Sequence, residues 1–148
     1  MITDRDNYFM GLALAEAQKA FKEGEIPIGA VVVANGKVIA SAHNMTEALT
    51  DVTAHAEMLA LTAAQSVLGK YLENATLYVT IEPCTMCAGA IGWARPARVV
   101  YGASEPRIGF TRIVRNSPFH PKTIVDTGIR AQEATELMKS FFKNRRSQ

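Results

Sequence analysis

Thr76-Leu77-Tyr78-Val79-Thr80-Ile81-Glu82-Pro83-Cys84-Thr85-Met86-Cys87 joins a run of β-branched and aromatic residues to a C-x-x-C pair, with only Glu82 and Pro83 between them. The run over 76–81 predicts a strand and the residues from Cys84 to Trp93 a helix, so the cysteines open a helix directly after a strand. Working outward, Ala54 to Gly69 reads as a helix before this unit, and Val99 to Tyr101 as a short strand after it. Further upstream, the compact apolar run from Ile28 to Ala34 is followed by Asn35-Gly36 and by alternation over Lys37 to Ser41, a hairpin signature. Residues 4–22 place Phe9, Leu12, Ala13, Ala17, Ala20 and Phe21 near helical spacing, and Gly24 supplies the stop. Ala103 to Lys122 shows no dependable period and predicts a long loop with short regular pieces at most, a kind of loop that is usually functional. Thr123 to Thr127 predicts a last strand and Ala131 to Arg145 a last helix, with Leu137, Phe141 and Phe142 inward or at an edge.

This order gives an α/β protein: a mixed five-stranded sheet with helices on both faces, a three-layer α/β/α sandwich forming a single domain over 1–148. In such sheets ligands bind beyond the carboxyl ends of the parallel strands. The 148 residues are 48% apolar and 20% charged, the composition of an ordinary globular domain. Sixteen Lys and Arg against 14 Asp and Glu leave a net charge of +2, which excludes a wholly basic nucleic-acid binder, so any basic surface is local. No stretch is apolar enough to span a membrane. Asp4, Arg5 and Asp6 give the N-terminus the wrong flank for a secretory signal. A cytoplasmic protein with reduced cysteines is the expectation.

Taken alone, Cys84 and Cys87 are equally compatible with a redox pair, half of a metal site, or buried cysteines. Thr53-Ala54-His55-Ala56-Glu57, near the start of the preceding helix, changes the balance. One histidine and two thiolates suit Zn²⁺, and three protein ligands leave the fourth position open, as in a catalytic site. A closed structural site needs a fourth ligand. His43 and His120 are the other histidines, and there is no third cysteine. Glu57 lies two residues after His55, where a carboxylate reaches zinc-activated water and moves its proton onward.

H-A-E followed by P-C-x-x-C matches the signature of zinc nucleobase and nucleoside deaminases. Ile26 to Val31, Asp51 to Glu57, Ala75 to Ala90 and the tail Phe141 to Arg146 together resemble the bacterial tRNA adenosine deaminases. The resemblance spans nearly the whole chain. It implies a cytidine-deaminase-like fold, one Zn²⁺ per chain held by His55, Cys84 and Cys87, and Glu57 as proton shuttle. It implies hydrolytic deamination of adenosine to inosine at the wobble position of a tRNA anticodon loop, by a homodimer. Asn44, Ala56, Pro83 and Glu105 are expected against the nucleotide, and Glu82 beside the metal turn or capping the following helix. RNA contacts are expected from Arg107, His120 and Lys122 in the long loop, and from Phe141, Phe142, Lys143, Arg145 and Arg146 in the tail. Two segments depart from the family's pattern. Gly102-Ala103-Ser104-Glu105 stands where Gly-Ala-Arg-Asp is usual, and Trp93-Ala94-Arg95-Pro96 is similar to bacterial guanine deaminases. A free-base or nucleoside deaminase is therefore the second expectation. A non-catalytic zinc-stabilised RNA-binding module and a cytosolic redox protein are the others.

Overall fold

A computed structural model gives the structure of residues 2–146. The elements, in chain order, are α1 (Asp4–Lys22), β1 (Gly29–Ala34), β2 (Lys37–His43), α2 (Ala56–Leu68), β3 (Ala75–Ile81), α3 (Thr85–Ala94), β4 (Arg98–Ala103), α4 (Phe110–Ile113), β5 (Ile124–Thr127) and α5 (Ala131–Arg146). The five strands form one sheet in the order β2-β1-β3-β4-β5. β1 is antiparallel to β2 and β3, while β3, β4 and β5 are parallel, so the sheet is mixed as expected. Asn35 and Gly36 both take positive φ, 52° and 73°, the conformation a two-residue hairpin turn requires.

Strand alternation sorts the core into two layers. Val32, Leu77, Val79, Val99 and Tyr101 face α2 and α3 and pack with Leu61 and Ile91. Val31, Val33, Tyr78 and Val100 face the other way and pack with Phe9, Met10 and Leu14 of α1. α5 packs beside α1 on that second face. α1 approaches β1 closely because residue 29 is glycine; a Cβ there would run into the Ala13 carbonyl. α2 starts at Ala56 and not at Ala54, because Ala54 and His55 are held in the preceding loop. β4 runs three residues beyond the predicted Val99–Tyr101, extended by Arg98 and by Gly102-Ala103, which carry no apolar signal. The long loop contains the single turn of α4.

The sheet and α1 are tied by a buried carboxylate that the sequence shows only as part of an acidic flank. Asp6 closes a capping box with Thr3 at the start of α1. It also accepts from Tyr78 Oη at 2.6 Å and from Arg98 Nη1 and Nη2 at 2.7 and 3.0 Å. Arg98 Nε donates to Asp126 at 2.8 Å, extending the tie to β5. Arg98, with help from Tyr78 and Thr3, holds the Asp6 carboxyl well below the usual carboxylate range despite its burial.

Because the folded-state value is depressed, Asp6 stabilises fully above the ordinary carboxylate range, and its contribution falls as pH drops toward that depressed value. Asp6→Asn is expected to cost about 3 kcal/mol at pH 7, with a smaller penalty at pH 3. Urea titrations at both pH values check this; a penalty equal at the two contradicts it.

Candidate active site

Two helix N-termini meet at the carboxyl end of β3. His55 is the N-cap residue of α2 and Cys84 that of α3, each in extended conformation and neither making a side-chain cap hydrogen bond. Residues at such positions usually spend their side chains on the helix's own N–H groups. Here the side chains turn to each other: His55 Nδ1 lies 3.6 Å from Cys84 Sγ and 3.5 Å from Cys87 Sγ. The three candidate ligand atoms all lie within 4.8 Å of one another.

That spacing fits zinc. Nitrogen at about 2.0–2.1 Å and sulfur at about 2.3 Å from a tetrahedral Zn²⁺ stand roughly 3.6 Å apart. The donor set agrees, since the two thiols and the imidazole crowd a place where positive charge is needed. The Cys84 thiol is held down to about 4, first by a hydrogen bond with Cys87 and then, against burial, by His55. The Cys87 thiol is pushed far up by its bond to Cys84 and by burial. Among the described residues no fourth histidine, cysteine or carboxylate joins the cluster, which leaves one coordination position for water or substrate.

Glu57, on the first turn of α2, is 3% exposed, and burial raises its carboxyl to about 7. Its Oε1 is fully buried and, among the described residues, without a hydrogen-bond partner. An orphaned carboxylate oxygen is costly in a folded core, and its place beside a metal cluster marks it for chemistry.

A cavity of about 170 Å³ opens over this group. Asn44, His55, Ala56, Glu57, Cys84 and Glu105 line it, and Arg107 and Phe142 stand at the wall it shares with a second, wider cavity. The apolar walls, Ile26, Ile28, Ile81, Ile108 and Met138, were not singled out by sequence; they carry no chemical signal and come together only through the sheet. Lys139, which joins Arg146 around the second cavity, was missed as well. Its helical spacing with Thr135, Phe142 and Arg146 is the signal that finds it.

Several expected contacts lie elsewhere. Pro83 does not line the cavity; its carbonyl accepts from Phe110 N–H at 2.9 Å, which turns it toward α4. Glu82 does not cap α3 but accepts from Glu105 N and from Thr111 N and Oγ1. Phe141 is buried edge-on against Phe21, so its ring is core and not a stacking surface. Arg145 lies over Phe141 beside Glu47, away from the cavity, and Lys143 is exposed and lines neither cavity. His120 and Lys122 sit with Arg95 and Pro96 at the start of β4, the opposite end of the sheet from the zinc turn. The hydrogen bond from Thr123 Oγ1 to the Pro96 carbonyl holds that segment there.

The chain matches the family described as the cytidine and deoxycytidylate deaminase zinc-binding region over residues 3–103. It is 42% identical over 147 residues to the tRNA-specific adenosine deaminase of Bacillus subtilis (strain 168), covering 96% of this chain and 91% of that one. Among solved structures it superposes with a TM-score of 0.81 and 45% identity on one from work on A-to-I editing by tRNA:A34 deaminases at the wobble position, covering 88% of this chain and 98% of the other. It also superposes on guanine deaminase from Bacillus subtilis with a TM-score of 0.62 and 43% identity, over 66% of this chain and 63% of that one. A three-layer α/β sandwich carrying a His/Cys/Cys cluster and an adjacent buried glutamate is thus a zinc-dependent hydrolytic deaminase of the cytidine and deoxycytidylate deaminase superfamily. Within that superfamily the chain belongs to the bacterial tRNA-specific adenosine deaminase family.

Metal analysis of the purified protein is expected to give one zinc per chain, and Cys87→Ser or His55→Ala to lose most of it. Stoichiometric zinc in both variants contradicts the ligand set.

Proposed function

We propose that this protein hydrolyses the wobble adenosine of a tRNA anticodon loop to inosine, releasing ammonia. Besides the family relation, the observation that carries this reading is the rim of the cavity. Arg107 lies over the Phe142 ring at 5.9 Å, and Lys139 and Arg146 line the adjoining cavity. Cations beside a half-buried ring that lines the cavity are what a single-stranded loop requires, with phosphates on the cations and a base on the ring. Trp93, which suggested a free-base substrate, is 79% exposed on α3 and lines no part of the cavity. The likeness to guanine deaminase keeps free guanine as the second reading.

Zinc, when bound, acidifies a coordinated water and supplies the nucleophile at neutral pH. His55 and the two cysteines hold the ion, while the helix N-termini behind His55 and Cys84 favour the thiolate form. Glu57 Oε1, free of competing hydrogen bonds among the described residues, takes one proton from the attacking water and delivers it to the adenine ring nitrogen as the oxygen bonds to C6; it then carries the water's second proton to the amino group, which leaves as ammonia when the C6–N bond breaks. A carboxyl balanced near neutrality is suited to both directions of transfer. Asn44 and the backbone of Ala56 orient the base edge, and the isoleucines of the wall exclude bulk water.

The proposal includes a cytoplasmic setting, where Cys84 and Cys87 stay reduced, and a homodimer. Among the described residues no helix is long and apolar enough to cross a membrane.

Product analysis after incubation with an anticodon stem-loop bearing a wobble adenosine, in parallel with free guanine, adenosine and cytidine, tests the reading. Inosine in the stem-loop alone is expected; xanthine from guanine with untouched RNA overturns it. Phe142→Ala is expected to raise KM for the stem-loop about tenfold, the loss of one stacked base.

A further inference from the structure

Four acidic side chains are buried among the described residues: Asp6, Glu25, Glu57 and Glu82. Asp6 has Arg98, and Glu57 belongs to the chemistry. Glu25 and Glu82 have neither role. They are 2% and 4% exposed, and neither makes an ion pair among the described residues. Burying a carboxylate is costly, and a core formed of apolar residues in its place is usually no less stable.

What satisfies these two carboxylates is the backbone of two loops. Glu25 Oε1 accepts from Glu47 N at 3.0 Å and from Thr46 Oγ1 at 3.5 Å, and its Oε2 accepts from Ala48 N at 2.7 Å. Glu82 Oε1 accepts from Glu105 N at 3.1 Å, and its Oε2 accepts from Thr111 N and Oγ1 at 2.9 and 2.6 Å. The first loop carries Asn44 and Thr46 into the cavity, and the second carries Glu105, Arg107 and Ile108. The second loop carries neither a zinc ligand nor Glu57, and in the first Glu25 holds only Thr46 to Ala48, well before His55 at the loop's other end. Residue 109 is glycine because a Cβ there would run into the Glu82 carboxylate, so the second loop closes directly over that group.

We infer that Glu25 and Glu82 are positioning residues: two buried carboxylates that fix the facing walls of the base pocket and thereby set affinity for the nucleotide without entering the proton transfers. The inference rests on the proposed deaminase reading for its substrate. Because each oxygen of either carboxylate already receives an N–H, a glutamine in its place sets an amide NH₂ against a donor and releases one strand of the loop.

Steady-state kinetics with the anticodon stem-loop, together with zinc content, test this on Glu25→Gln and Gly109→Ala. KM is expected to rise at least tenfold in each, with kcat within about threefold and zinc unchanged. An unchanged KM, or a loss confined to kcat, overturns the inference. Thr111→Val removes one donor to Glu82 while keeping the side chain's size; if the other variants do not fold, it is expected to raise KM about threefold, and an unchanged KM in it is equally contrary. Should the wild-type protein act on guanine and leave the stem-loop untouched, the substrate reading fails by itself. The same KM shift is then expected for guanine, and its absence overturns the positioning role.

Discussion

His55, Cys84 and Cys87 meet because two helices begin at one end of the sheet, and the rest of the active site is arranged around that meeting. β3 delivers Cys84 and Cys87, the long loop after β2 delivers His55, and both helix N-termini turn their dipoles toward the thiolates. Both cap positions forgo the side-chain bond that would steady the helix, which makes the cluster a stability cost for each helix considered alone. A divalent cation resolves that cost by bonding all three side chains at once. The parallel half of the sheet sets the direction of both the zinc turn and the loop that follows β4, so the pocket lies where these strands end.

The four buried acids show how the same chemical group is put to different uses by what surrounds it. Asp6 is matched by a guanidinium and a phenol, and it secures α1 to the sheet. Glu25 and Glu82 are matched by main-chain N–H groups and secure loops. Among the described residues Glu57 alone keeps an oxygen without a partner, and it is the one next to the metal ligands. A buried acceptor left open in an otherwise satisfied interior is the mark of a group that waits for a substrate or a water.

Much of this was legible in the sequence, for identifiable reasons. The strand-to-helix turn at Glu82-Pro83-Cys84, the Asn35-Gly36 hairpin and the H-A-E spacing are local signals, and the structure places them as read. Cys84 and Cys87 alone left redox and metal readings level, and only His55, 29 residues away from Cys84, decided between them. What remained hidden depends on contacts between distant residues. Asp6 looks like an acidic flank until β4 brings Arg98 to it across 92 residues. Glu25 is an unremarked acid after a helix, and its donors lie more than twenty residues downstream. The basic residues of the long loop read as one patch because they are close in sequence. The fold divides them, sending Arg107 to the pocket and His120 and Lys122 to the far end of β4. Phe141 and Phe142, adjacent in sequence, likewise part on α5: one packs on Phe21 and the other faces the cavity.

The central claim is that the unpartnered oxygen of Glu57 moves the protons of a zinc-dependent deamination. Its most direct test is Glu57→Gln, which keeps shape and burial and removes only the ability to take up a proton, with zinc content, stem-loop binding and inosine formation measured on the same preparation. The account predicts one zinc per chain, unchanged binding and a loss of turnover on the order of 10³-fold. Zinc and binding retained together with wild-type turnover would contradict it.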